Sequence, residues 1–232
     1  MRIEDCNWFQ VEEYLRRDDR LVIPLGSIEQ HAYLSLGVDR ILSERVAVEA
    51  AAPSGVLVLP SLPYGLTPYF AAYPGSPTLS VETYRAVLRE LLDSLAGQGF
   101  RRFLFVNGHG GNDGGLAGVE AWAAEHPDCR VHWHNWWAGE KTRAVVDEID
   151  PDAAHASWFE NFPWTRLEGV EQPREKKPIA DIRRMRELDP RAVRELLGDG
   201  SLGGLYERPD EDVLRVWEAG VAEVRELIEM GW

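Results

Sequence analysis

Four short apolar runs set the terms on which this chain can fold: Leu21 to Leu25, Val56 to Leu59, Phe103 to Val106 and Val131 to Trp136, each ending in glycine, proline or a polar cluster. Runs this compact read as strands buried on both faces. Segments of helical periodicity lie between them. Leu42 to Ala51 is one. Val81 to Leu95 is the clearest: Ser80 can cap it, Tyr84, Val87, Leu88, Leu91, Leu92 and Leu95 recur at helical spacing, and Gly97 follows as a stop. A last amphipathic helix is predicted from Pro209 to Met230, and the charged, proline-containing stretch from Glu168 to Asp181 reads as a surface loop. Strand alternating with helix is the pattern of an α/β fold whose mostly parallel sheet is covered by helices. The chain has 232 residues, 44% of them apolar, which is ample for one core of this kind, so residues 1–232 are read as a single domain.

Charge removes two classes of partner. Lys plus Arg number 25 against 39 Asp plus Glu, a net charge of −14. Nucleic acids and membrane surfaces are themselves anionic and are bound through an excess of Lys and Arg, so neither is expected here. Cys6 and Cys129 are too few for a disulfide framework and have no metal-type spacing. The first residues are charged throughout and carry no apolar signal segment, and no run approaches the roughly 18 apolar residues of a membrane span. The expectation is a cytoplasmic protein whose partner is a small molecule.

The unusual polar residues follow the strands. Gly26-Ser27-Ile28-Glu29-Gln30-His31 comes directly after the first run, with Asp39 a few residues on, and Asn107-Gly108-His109-Gly110-Gly111-Asn112 comes after the third. Open α/β sheets bind ligands just beyond the carboxyl ends of their strands. Glu29 and His31, spaced i, i+2, point to the same side of an extended segment. With Asp39 and His109 they offer a mixed nitrogen and oxygen ligand set that suits Zn²⁺, Mn²⁺ or Fe²⁺. A third cluster, His155-Ala156-Ser157-Trp158-Phe159-Glu160-Asn161, adds a carboxylate and another imidazole. Glu29, His31, Asp39, His109 and Glu160 make five ligands, enough for two divalent ions with Asp39 shared, and His155 is left for proton transfer.

Plainer readings stand beside these. Asp39 can be the N-terminal acid of the Leu42 helix, and Glu29 or Glu160 a solvated turn or cap. Gly108 to Gly111 can be a tight turn or a phosphate cradle, although Asp113 in the last slot breaks the G-x-G-x-x-G spacing. His132 and His134 read as ordinary strand residues, and His126, before a proline, as an exposed residue at a helix end. The chain has nine tryptophans. Trp158 and Trp164 flank Glu160 and are read as walls of a pocket for a small planar ring or amide. Arg183 to Arg194 reads as a solvated helix face.

Taken together, the segments from Pro24 to His31, Asp39, Asn107 to Asn112, and His155-Ala156 with Glu160 resemble the three signature blocks of the creatininase (creatinine amidohydrolase) family, and Tyr73-Pro74-Gly75-Ser76 is similar to the family's aromatic-Pro-Gly-Thr turn. The resemblance implies a three-layer α/β/α fold, two divalent metal ions per subunit, a homo-oligomer (a hexamer) and hydrolysis of a non-peptide C–N bond. It also implies roles: Glu29 and His109 on one ion, His31 on the other, Asp39 bridging and His155 as acid/base. Three positions depart from creatininase proper. Gly111 stands where it has a metal-binding glutamate, and Glu160 is the candidate replacement. The stretch from His31 to Asp39 is one residue shorter and lacks a histidine, and Tyr69-Phe70 occupy the place of a Glu-His pair.

The sequence thus predicts a metal-dependent hydrolase of a small amide or cyclic amide. Hydroxide activated by the two ions would attack the carbonyl, with the turn around Gly110 and Gly111 holding substrate and His155 delivering a proton to the leaving nitrogen. A formamide deformylase or a short-peptide peptidase would use the same site, and a non-catalytic metal- or nucleotide-binding module is the alternative of another class.

Overall fold

In the computed structural model, which describes residues 1–232, each apolar run becomes a strand: β1 (Arg20–Leu25), β2 (Leu57–Val58), β3 (Arg102–Asn107) and β4 (Arg130–Asn135). The helices are α1 (Trp8–Leu15), α2 (Val38–Ala51), α3 (Val81–Gln98), α4 (Leu116–Glu125), α5 (Glu140–Ile149), α6 (Ile182–Arg186), α7 (Pro190–Leu197) and α8 (Asp210–Met230). The sheet order is β2-β1-β3-β4, and every neighbouring pair is parallel.

Period-two alternation sorts the strand residues onto two faces. Leu21, Ile23, Leu25, Phe103 and Phe105 pack on one side with Tyr84, Leu88, Leu92 and Leu95 of α3, Val119 and Trp122 of α4, and Tyr14 of α1. Val22, Leu104 and Val106 pack on the other with Leu42, Val46 and Ala47 of α2, Val146 of α5, and Val213, Val216 and Trp217 of α8. Full burial of each large apolar side chain contributes about 1.5–3 kcal/mol, so both faces must be covered. Three layers, α/β/α, result.

Helix boundaries depart from the periodicity in two places. α2 begins at Val38, a turn before Leu42, because Val38 is itself buried in the core and Asp39 is carried inward with it. α3 continues through Gly97 and ends at Gly99, whose φ of 114° supplies the left-handed cap. Ser80 does cap its start, accepting a hydrogen bond from the Thr83 N–H.

From β1 the chain passes outward to β2, then returns to the opposite side of β1 as β3 and moves on to β4. The order therefore reverses between β1 and β3, the place where loops from the carboxyl ends diverge and open a crevice. Leu25 and Asn107 are in register there, so the segments beginning at Gly26 and Gly108 leave the sheet side by side. A smaller apolar cluster of Phe70, Tyr73, Met185, Val193 and Leu197 joins α6 and α7 to the loop around residue 70.

Candidate metal centre

Close backbone approach brings the two loops onto the first turn of α2. A Cβ on Gly108 would lie 2.6 Å from the Asp39 carbonyl oxygen, and one on Gly26 would lie 2.4 Å from Arg40 Cα. Only glycine permits either contact. Asp39 is consequently delivered to the crevice between the residues that follow β1 and β3, and it does not cap its helix: its Oδ2 accepts a 2.6 Å hydrogen bond from Ser27 Oγ.

Around Asp39 the predicted residues converge. His31 Nε2 lies 3.1 Å from Asp39 Oδ1, and His109 Nδ1 lies 3.0 Å from Asp39 Oδ2. Glu29 Oε2 is 3.5 Å from His109 Nδ1, and Glu160 Oε2 is 3.9 Å from His31 Nε2. Three groups of potential ligand atoms result, each within 4.8 Å of one another: Glu29–Asp39–His109 and His31–Asp39–Glu160, which share Asp39, and Glu29–His31–His155 at the edge. Neither lysine nor arginine pairs with any of the three carboxylates, although Glu29, His31, Asp39 and His109 are all buried.

The imidazoles are oriented from behind by main-chain carbonyls. His109 Nε2–H donates to Leu66 O at 2.8 Å, and His31 Nδ1–H donates to Glu29 O at 3.1 Å. The remaining nitrogens, His109 Nδ1 and His31 Nε2, therefore turn their lone pairs toward carboxylate oxygens. Lone pair facing lone pair at about 3 Å is repulsive unless a cation or a proton lies between them. Glu29 Oε1 and His31 Nε2 are buried with no hydrogen-bond partner, as expected of atoms whose partner is an ion.

Ionisation follows the same logic. Burial alone would lower the His31 and His109 pKa values, but the carboxylates overcome it, Asp39 foremost at His31 and Glu29 at His109, and raise them to about 10 and about 9. Burial pushes Glu29 and Glu160 up to about 7 despite the neighbouring imidazoles. Asp39 resists its burial, and the His31 and His109 charges hold it well below the usual carboxylate range. Without metal, protons on the two histidines serve as the cations of the site.

His155 stands at the edge of this cluster, Nδ1 3.8 Å from Glu29 Oε2. Its environment also fixes its tautomer. Gln30 Oε1 accepts the Ala32 N–H at 3.1 Å, so Gln30 Nε2 is the donating side, giving 3.0 Å bonds to Gly200 O and to His155 Nε2. His155 Nε2 is then an acceptor, and its proton resides on Nδ1, facing the carboxylates. Burial, reinforced by the His31 charge, keeps the His155 pKa well below its ordinary value. Phe70 stacks on the outer face of the ring, centroids 4.9 Å apart.

A cavity of about 650 Å³ opens above the centre, with Glu29, Asp39, His109, Gly110, Gly111, His155 and Glu160 among its lining residues. Trp158 and Trp164 do not line it. Trp158 is fully buried in the core on the α2–α8 side, and Trp164 stacks on Phe162 and lies under the Arg45 guanidinium, 3.9 Å from the ring centroid. Trp158 and Phe159 meet edge to face, centroids 6.5 Å apart, within one core cluster, and of the two only Phe159 reaches the cavity, together with Tyr69, Phe70 and Trp137. Nor is the Arg183 to Arg194 stretch wholly a solvated face, because Arg186 also lines the cavity. His132 and His134 sit on β4 away from any acidic cluster, and burial lowers both of their pKa values. His126 is half-buried, stacked on Trp122 at 4.1 Å.

Gly111 has a steric reason to be glycine. A Cβ there would meet Leu66 O at 1.9 Å and His109 Nε2 at 2.5 Å, the two atoms of the hydrogen bond that orients His109. Ser27, Gln30 and the Leu66 carbonyl support the centre without a signal of their own in the sequence. The first two lie inside the cluster after β1, whereas a main-chain carbonyl has no residue type to betray it.

Comparison with known proteins gives the family and the fold. The family model described as Creatininase: Creatinine amidohydrolase matches residues 4–228. A protein of Pseudomonas putida named creatinine amidohydrolase is 28% identical over 177 residues, 68% of each chain. A protein of Mycolicibacterium smegmatis named mycofactocin precursor peptide peptidase is 31% identical over 150 residues, 57% of this chain and 58% of its own. Among solved structures, one titled Creatininase Mn superposes with a TM-score of 0.81 at 23% identity, covering 99% of this chain and 97% of the other, which bears on the fold.

Proposed function

Because the chain belongs to the creatininase family, we propose that it is a metal-dependent hydrolase of a non-peptide C–N bond in a small amide or cyclic amide, working with two divalent ions. The observation that carries the reading is the pair of triads sharing Asp39, with imidazole lone pairs aimed at carboxylates. Glu29, Asp39 and His109 would hold one ion, and His31, Asp39 and Glu160 the other, with Glu160 supplying the ligand that Gly111 cannot. The oxygen and imidazole donors fit Zn²⁺, Mn²⁺ or Fe²⁺. When bound, such ions supply Lewis acidity that polarises a carbonyl and makes water a nucleophile near neutral pH.

The rest of the chemistry falls to side chains. His155 would take the proton released by the attacking water and pass it to the departing nitrogen, while Gln30 holds the ring in place through Nε2. The segment at Gly110 and Gly111 borders the same space and would present backbone N–H groups to the carbonyl oxygen. A buried, apolar surround strengthens each of these electrostatic contacts.

Elemental analysis of the purified protein, followed by a screen of the Zn²⁺-, Mn²⁺- and Fe²⁺-loaded forms against cyclic amides, formamides and short peptides, tests the proposal. Two equivalents of metal per chain and metal-dependent hydrolysis are expected; no bound metal and no activity restored by any of the three would overturn it. The relative named as a peptide peptidase and the roomy cavity support a second substrate class, short peptides, within the same screen. A cytoplasmic homo-oligomer belongs to the same proposal, and light scattering in solution checks the assembly.

A further inference from the structure

The cavity over the centre is much larger than the centre needs. Its volume of about 650 Å³ falls in the range of roughly 300–1,000 Å³ that buries ligands of drug-like size. Leu66, Phe70, Val81, Trp137, Phe159 and Met185 make most of its wall apolar. Outside the metal centre only two lining residues carry charge, Asp113 and Arg186. The Asp113 carboxylate is already committed: it accepts from Asn135 Nδ2 at 3.1 and 3.2 Å and from Trp133 Nε1 at 3.1 Å. Arg186 is exposed at the rim and has no ion-pair partner. In a chain of net charge −14 with three carboxylates on the cavity floor, it is the one lining group outside the centre suited to an anion.

Arg186 also stands on a particular side. Its neighbour Met185 packs in one cluster with Phe70, and Phe70 stacks on the His155 ring. His155 protonates the departing nitrogen in the reading above, on which this inference rests, so Arg186 borders the amine half of the substrate. We propose that the substrate is an N-acyl amino acid with a bulky apolar side chain, its carboxylate paired with Arg186 and its side chain held by the apolar wall. Water adds across the amide. Its hydroxyl joins the acyl carbon, the second proton of the water passes to His155, and the electron pair of the broken C–N bond goes to nitrogen with that proton, which returns His155 to its starting state. The products are a carboxylic acid and a free amino acid.

The test compares N-acetylphenylalanine with N-acetylphenethylamine, which lacks only the carboxylate, on metal-loaded wild type and Arg186→Met. Binding of N-acetylphenylalanine to the same proteins is read in parallel from tryptophan fluorescence, since Trp137 lines the cavity. The expected result is a kcat/KM at least about tenfold higher for the acid in wild type, lost in Arg186→Met, with the neutral amide unaffected by the substitution. Hydrolysis of both compounds with an acid preference unchanged in Arg186→Met would overturn the subsite while leaving the hydrolase standing. Arg186-dependent binding without turnover of either compound would support the subsite and count against the hydrolytic reading. Absence of any binding that depends on Arg186 would overturn the inference outright.

Discussion

At the amino ends of the strands, Asp18 accepts from Arg20 Nε at 2.9 Å and meets Arg102 at 3.4 Å, while Asp19 pairs with Arg102 Nε. At the carboxyl ends of the same strands, Glu29, Asp39 and Glu160 gather round two imidazoles with no permanent cation among them. Both ends concentrate acids on one sheet, yet one is neutralised by guanidinium groups that never lose their charge and the other only by protons or metal. The difference separates charge that holds a structure together from charge kept open for an exchangeable ion. A buried carboxylate without its cation costs several kcal/mol, so the carboxyl end is tolerable only because something charged can occupy it.

Substitutions at the two ends should therefore diverge, and the largest effect is expected at Asp39. Asp39→Asn removes the oxygen charge common to both triads; metal content measured by elemental analysis should fall to background and hydrolysis by about 10³-fold or more, the scale of several kcal/mol of Lewis-acid stabilisation. Retention of both ions would break the comparison. His155→Ala should leave metal content intact and lower kcat by roughly 10²–10⁴-fold, as for loss of a general acid. Ser27→Ala, which withdraws the hydrogen bond from Asp39, should weaken metal binding by about 10–100-fold in competition with a chromophoric chelator.

Smaller effects come from pH and from the amino end. His31 and His109 have folded pKa values of about 10 and about 9, above their ordinary value. Their stabilising contribution is complete below that ordinary value of about 6.5 and is lost as pH rises through 9 to 10. The melting temperature of metal-free protein should thus drop between pH 7 and 10, and the metal-loaded form should resist the drop, because the cations replace the protons. Asp18 has the opposite sign: against its burial, the hydrogen bonds from Arg20 hold its carboxyl below the usual range, so its contribution is present at neutral pH and disappears on acidification. Asp18→Asn should cost about 1 kcal/mol, a shift of roughly 2–4 °C by calorimetry, with metal content unchanged. Loss of metal in that variant would show the two ends to be coupled.

Much of this architecture was legible because it depends on residue type. Compact apolar runs gave the four strands, and Glu29, His31, Asp39, His109 and Glu160 were identifiable as polar residues in places where folding would rather have apolar ones. Side-chain direction within irregular segments was less accessible. Trp158 and Trp164 flank Glu160 in the chain, yet the short 3-10 turn at residues 158–160 buries both Trp158 and Phe159 in the core and leaves only Phe159 an edge on the cavity. Arg186 is exposed, as its charged helix face implies, and that it also borders the cavity depends on α6 folding back over Phe70, a contact between residues far apart in the chain. The Leu66 carbonyl and the tautomer that Gln30 imposes on His155 are properties of the folded backbone.

The contact between Gly111 and Leu66 bears on how such enzymes can diversify. Placing a glutamate at 111, as in creatininase proper, would drive any Cβ into Leu66 O and break the bond that aims His109. The loop carrying Leu66 would have to retreat first, and retreat alone disorients His109. Gly111 is thus held as glycine by the hydrogen bond that aims His109, and any larger residue there has to be accompanied by movement of the Leu66 carbonyl.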